Sequence, residues 1–357
     1  MLAFGGFIVV AIILLLIFGS NSDITKQHKK IGFIITGDIN EPGWSGSHYN
    51  GIKAACEELG MELLMHDKVP ENSGKCPVAV EDLINQGAEM IFLASFNYPT
   101  EVNHLINKYP NVFFSTISMK ESAKNRTACF ARMYQGRYLA GALAGMRTKS
   151  NVIGFVAAMK NTEVCRGINA FALGAQRTNP QAKVVVMWTG SWKNEEVETN
   201  HAQRLIKEAG ADVLTYHQNE AATADVAESF GVDFIGFNAL LNGYSEHYLT
   251  SLICRWDLFY KDVILRYLKG ELNSTEHNWL GIQQDIIMLS DFSPLVTPDM
   301  RETIHSLENE LKYNESIFVN EIYDNQGNLR CEKDESISDD ELLKNINWLV
   351  KGVEVIE

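Results

Sequence analysis

The chain has 357 residues, is 46% hydrophobic and carries a formal net charge of −14 at pH 7, which is enough apolar material for two cores of ordinary domain size. The acidic balance argues against nucleic acid as a partner, because a phosphate backbone is bound by clustered Lys and Arg. Six cysteines (Cys56, Cys76, Cys129, Cys165, Cys254 and Cys331) show no C-x-x-C spacing; neither a zinc site nor a disulfide framework is indicated, and they read as small buried hydrophobes.

Met1 to Phe18 contains no charged or strongly polar residue, and the first charge is Asp23. A run of about 18 residues is at the lower limit for a membrane span and too long for a typical signal h-region. Residues 1–22 are therefore expected to be an anchor or a signal segment, and 23–29 a polar tether. No cysteine precedes Cys56, so a lipid-anchored cysteine is not available. Lys26, Lys29 and Lys30 flank the far side of the run and oppose an outward-facing body. The expectation is nonetheless a membrane-anchored or secreted protein with its body outside the cytoplasm.

From Lys30 onward the pattern is α/β. Short hydrophobic runs begin near Ile31, Met61, Met90 and Val112, and again near Val152, Val184, Val213 and Phe234. Steps of about 30, 29 and 22 residues recur as about 32, 29 and 21, one architecture laid down twice. Between runs the period turns helical, as in Tyr49, Ile52, Ala55, Cys56 and Leu59, so each set reads as parallel βαβ units. Helices are expected after Gly46, Gly74, Tyr98, Arg132, Asn161, Asn194 and Asn219. A long amphipathic helix is expected from Leu249 to Tyr267, then a strand-like piece (Gly281 to Leu289), an acidic helix (Pro298 to Lys312) and a hairpin at Asp324 to Gly327. The body, 30–357, should form two lobes with a ligand cleft between them: lobe 1 mainly 30–148, lobe 2 mainly 149–248, and 249–357 crossing between both.

Catalytic motifs are missing. No G-x-G-x-x-G follows the first strand, Gly74-Lys75 lacks the rest of a phosphate loop, and neither H-E-x-x-H nor G-x-S-x-G occurs, so the chain is not read as an enzyme and no cofactor or metal is expected. What stands out is a set of aromatic and amide residues at the carboxyl ends of expected strands, the positions that face a cleft. They are Trp44 after strand one; Phe96 and Asn97 after strand three; Glu163 after strand five; Trp192, His217, Gln218 and Asn238 after strands six to eight. Trp44 also suits a staple at its helix start, and Glu163 a first-turn cap.

Four stretches together resemble the basic-membrane-protein (PnrA-like) family of ABC-transporter substrate-binding proteins. They are Pro42-Gly43-Trp44 with His48 and Gly51; Arg132-Met133-Tyr134-Gln135-Gly136-Arg137-Tyr138-Leu139-Ala140-Gly141; Glu163-Val164-Cys165-Arg166-Gly167-Ile168-Asn169-Ala170-Phe171; and Trp279-Leu280-Gly281. The likeness implies a two-lobed type I periplasmic-binding-protein-like fold, each lobe a parallel sheet flanked by helices. Members that bind purine nucleosides carry a glycine-rich segment after the seventh strand and a ribose-binding Asp after the eighth. This chain has Tyr216-His217-Gln218-Asn219 and Asn238 there, which resembles the branch associated with free adenine.

A flat, uncharged base needs aromatic faces and a few edge donors and acceptors. Trp44 is the first choice for stacking, with Phe96, Tyr134 or Trp192 on the other side. Glu163 suits the exocyclic amine or a ring N–H, and His217, Gln218 and Asn238 the ring nitrogens. Tyr134 equally suits a helix core, and Arg132 and Arg137 are expected to anchor carboxylates. The implied partners are a small purine ligand and an ABC permease. A membrane-tethered purine sensor using the same cleft is the alternative. A nucleoside hydrolase would need a carboxylate cluster near the ribose, and Asn238 stands against it.

Overall fold

The computed structural model describes residues 29–41, 43–117, 124–272, 278–314 and 316–357; the expected anchor and nearly all of the tether lie outside the described residues. The eight apolar runs become strands β1 (Lys30–Ile34), β2 (Glu62–His66), β3 (Ala88–Leu93), β4 (Phe113–Thr116), β6 (Val152–Ala157), β7 (Lys183–Trp188), β8 (Val213–His217) and β9 (Asp233–Phe237), and between the two sets lies a further strand, β5 (Arg126–Ala131). The rest of the chain adds β10 (Tyr248–Cys254), β11 (Asn278–Leu280), β12 (Ile287–Leu289), β13 (Ile322–Tyr323), β14 (Leu329–Cys331) and β15 (Val353–Val355). One sheet has the order β11-β5-β4-β3-β1-β2 and the other β12-β10-β9-β8-β6-β7-β15. Both are parallel apart from the antiparallel β12 edge. The order reverses between β1 and β3, and in the same way between β6 and β8; the loops leaving these carboxyl ends therefore open the crevice of each lobe.

Three local expectations are corrected. The stripe from Leu249 to Tyr267 is not one helix: Tyr248–Cys254 is a strand between β9 and β12, and the helix is Trp256–Lys269. Leu249, Leu252 and Ile253 fit helical spacing, but the open edge of β9 recruits them as a strand, a tertiary choice that periodicity cannot see. Gly281 to Leu289 is not one strand either, because a short 3-10 turn, Ile282–Gln284, separates β11 from β12. β5 is hidden in the sequence because Arg126 and Thr127 interrupt its apolar pattern, although every residue of it is buried. The expected helices, the acidic helix (Pro298–Tyr313) and the hairpin (β13 to β14) are present. Asn161 and Asn194 cap their helices, each side chain accepting from the backbone N–H three residues on.

Helix Met133–Arg147, which follows β5 of the first lobe, packs against helix Thr162–Thr178 of the second. The contact is so close that a β-carbon on Gly141 would stand 1.9 Å from the Phe171 carbonyl oxygen. Helix Trp256–Lys269, which follows β10 of the second lobe, returns to pack on helix Trp44–Leu59 of the first. The chain therefore crosses between lobes near Arg132, Arg255 and Gly281, and these crossings bond to one another. Arg132 N–H donates to Leu280 O (2.6 Å) and Arg255 N–H to Ile286 O (2.8 Å), while Ile282 N–H donates to Gln135 Oε1 (2.9 Å). All six cysteines are buried and unpaired.

Candidate functional site

A cavity of about 430 Å³ lies between the lobes, within the ~300–1,000 Å³ typical of small-molecule sites. Its wall brings together Trp44 and Phe96 from the first lobe and Glu163, Trp192, His217, Gln218 and Asn238 from the second. Asn97 and Tyr134 are not on that wall. The Asn97 backbone N–H and Nδ2 donate to the two oxygens of Glu71 (2.7 and 2.8 Å), and Ser95 Oγ donates to Glu71 Oε1 (2.5 Å). Asn97 thus orients Glu71, which does line the cavity. Tyr134 is buried near the crossings, its hydroxyl accepting from Arg132 Nη1 (3.0 Å) and its ring beside Trp279 and Phe318.

Trp44 opens its helix directly after Gly43, and its indole N–H donates to Ala94 O (3.1 Å). Its ring lies 4.0 Å from His48 and edge-on to Trp256 at 5.7 Å, so it is both a cavity wall and a packing residue. His48 in turn stacks on Trp256 at 3.7 Å and shares a 2.6 Å hydrogen bond with Tyr260. Burial holds its imidazole well below the ordinary histidine range.

Two amides have their sense fixed by their partners. Trp256 Nε1 can only donate, and it donates to Asn238 Oδ1 (3.2 Å), so the free capacity of the Asn238 amide lies in its Nδ2 donors. Gln218 Nε2 donates to Thr189 Oγ1 (2.7 Å), whose own hydrogen goes to Ser191 O (2.8 Å). Gln218 Oε1 is left buried with no hydrogen-bond partner among the described residues, an acceptor in want of a donor.

Glu163 Oε1 lies 3.9 Å from His217 Nε2. Burial, helped by Arg137 and Arg166, holds that imidazole well below the ordinary histidine range and so disfavours an ion pair between the two. Burial also pushes the Glu163 carboxyl above its usual range, against the opposing pull of Arg166 and Arg137. Among the described residues Arg137 does not anchor a carboxylate as expected: Nη2 donates to Tyr216 O (2.8 Å) and the guanidinium lies 3.8 Å over Phe237. Arg132 does, gripping Asp339 through both nitrogens (2.8 and 2.5 Å). At the mouth Lys193 reaches Glu220 Oε1 (2.6 Å) in its own lobe and Glu41 Oε1 (3.0 Å) in the other.

Glu71, Phe130 and Arg166 also line the cavity and were missed. Glu71 follows β2, in a loop whose only sequence signal is the partial phosphate-loop pattern at Gly74-Lys75. Phe130 sits on the unrecognised β5. Arg166 lies within one of the family-like stretches, but nothing in its local pattern separates a wall position from a helix core.

A family model described as "Bmp: ABC transporter substrate-binding protein PnrA-like" matches residues 28–323. Over 333 residues the chain is 28% identical to a protein of Brucella abortus (strain 2308) named a purine-binding protein, covering 92% of this chain and 94% of that one. A Haloferax volcanii protein whose name proposes glucose binding for an ABC transporter is 28% identical over 326 residues, 90% of this chain and 79% of that one. Among solved structures, an ABC transporter solute-binding protein from Aeropyrum pernix K1 shares the fold, with a TM-score of 0.69 and 16% identity over 82% of this chain and 93% of that one.

Proposed function

We propose, for a chain that belongs to the PnrA-like family of ABC transporter substrate-binding proteins, that the inter-lobe cavity captures a purine base, adenine first, and delivers it to an importing permease from outside the cytoplasm. The observation that carries this reading is the pairing of aromatic walls with two amides of fixed sense: Asn238 offers a donor and Gln218 a buried acceptor. Adenine carries an amine donor beside ring-nitrogen acceptors on a flat, uncharged frame, and complements both. Trp44, Phe96 and Trp192 supply faces for it, and Glu163 and His217 further edge contacts. The purine-binding name of the Brucella relative supports the same ligand class.

A free base is favoured over its nucleoside because an amide whose oxygen is already engaged by Trp256 stands at 238, where the nucleoside-binding pattern has a carboxylate for ribose. The role is carriage rather than catalysis. Small molecules released by denaturing the purified protein, identified by mass spectrometry, should include a purine; a sugar with no purine would count against the reading.

A further inference from the structure

We propose that residues 324–357, which follow the stretch matched by the family model, form a strap that ties the second lobe to the crossings through Asp339 and so sets the lifetime of the closed state. The strap is anchored on the second lobe. β15 pairs with β7, Asn169 exchanges hydrogen bonds with Trp348 O and Val350 N–H (both 2.9 Å), and helix Asp339–Lys344 packs on helix Thr162–Thr178.

From that base it reaches Arg132 at the crossings and also holds Arg166 of its own lobe. Arg132 is tied to the first lobe's β11 by its backbone N–H on Leu280 O and its Nε on Trp279 O (3.0 Å). Its remaining nitrogens make the fork on Asp339, a two-point geometry that a carboxylate accepts well. Arg166 of the cavity wall, buried and 5.0 Å from the Trp279 ring, donates to Leu342 O (2.7 Å). That carbonyl lies in the last turn of its helix, where no intrahelical N–H claims it. The next residue, Leu343, is itself part of the cavity wall. One short helix therefore touches the ligand space, a cavity arginine and the crossing arginine. Asp339 is a positioning residue, since it acts through Arg132.

The test compares the full chain with Asp339→Ala and with Lys344→Ala, which alters the same helix at a side chain paired only with Asp340 among the described residues. Hydrogen exchange is read in ligand-free protein, and association and dissociation of adenine are followed by tryptophan fluorescence. Asp339→Ala should speed exchange at the crossings, 131–135 and 279–287, while β3 and β8 keep their protection. It should speed adenine dissociation about three- to tenfold with association nearly unchanged. Lys344→Ala should leave both readouts as they were. Unchanged exchange at the crossings overturns the proposal, and so does a uniform rise that includes β3 and β8, which would make Asp339 a general stabiliser. The kinetic arm rests on the purine reading and the exchange arm does not: a wild-type chain that ignores adenine defeats the former reading and leaves the strap to be judged by exchange.

Discussion

Gly43 and Asn219 meet across the mouth of the cleft: a β-carbon on Gly43 would stand 2.7 Å from the Asn219 carbonyl oxygen. The two residues belong to different lobes, and the Lys193 to Glu41 ion pair spans the same gap. In this arrangement of the lobes the Asn219 backbone leaves no room for a side chain at 43.

Gly43→Ala should oppose closure twice, by the contact with Asn219 and by the strain of a side chain at φ +90°. Affinity for adenine should fall about tenfold or more, equivalent to ~1.4 kcal/mol. Solution scattering should show the wild type contracting on saturation and the variant keeping its ligand-free radius of gyration. Equal contraction would show that the mouth tolerates the methyl group.

Trp44→Ala should remove one base stack, worth about 1–3 kcal/mol of binding. It should also lower the melting temperature, because the ring packs on His48 and Trp256. Trp44→Phe separates the two roles: it keeps an aromatic face and loses the bond to Ala94 O, so binding should weaken by about 1 kcal/mol or less. If the folded Ala variant binds as well as wild type, Trp44 is a packing residue alone.

What could be read in advance was what repeats or sits at a strand end. The doubled spacing of runs such as Ile31 and Val152 foretold paired parallel sheets with a cleft between two lobes, and Trp44, Phe96, Glu163, Trp192, His217, Gln218 and Asn238, chosen by strand-end position, all line one cavity. What could not be read depends on partners distant in sequence. β10 is a strand because β9 and β12 flank it. Tyr134 is core because Arg132, Trp279 and Phe318 surround it. Asn97 turns toward Glu71 instead of the ligand space.

Asn238→Asp replaces the amide donor with a second oxygen and brings a negative charge beside Trp256. Adenine affinity measured by calorimetry should drop at least about tenfold, since a lost hydrogen bond and a newly buried charge both oppose binding. Improved binding of adenosine in the same variant would identify position 238 as a ribose discriminator. Adenine affinity equal to wild type would remove Asn238 from the site.

Glu198 is buried, neither of its oxygens has a hydrogen-bond partner among the described residues, and burial pushes its carboxyl up to about 8. With the folded value raised, its contribution to stability is fully present below about pH 4.5 and is lost as pH rises through about 8. Glu198→Gln should therefore raise the melting temperature relative to wild type more at pH 8.5 than at pH 5.5. His48 and His217 act in the opposite sense: their depressed values favour folding above about pH 6.5, and that contribution fades as pH falls. A Glu198→Gln difference that is flat between the two pH values would mean that the carboxyl is ionised in the folded protein.

The central claim is most directly tested by calorimetric titration of the full chain, stripped of endogenous ligand, with adenine, adenosine and glucose in turn. The account predicts saturable binding of adenine, about tenfold or more tighter than adenosine, and no heat of binding from glucose. Adenosine binding at least as tightly as adenine, or glucose binding where adenine does not, would contradict it.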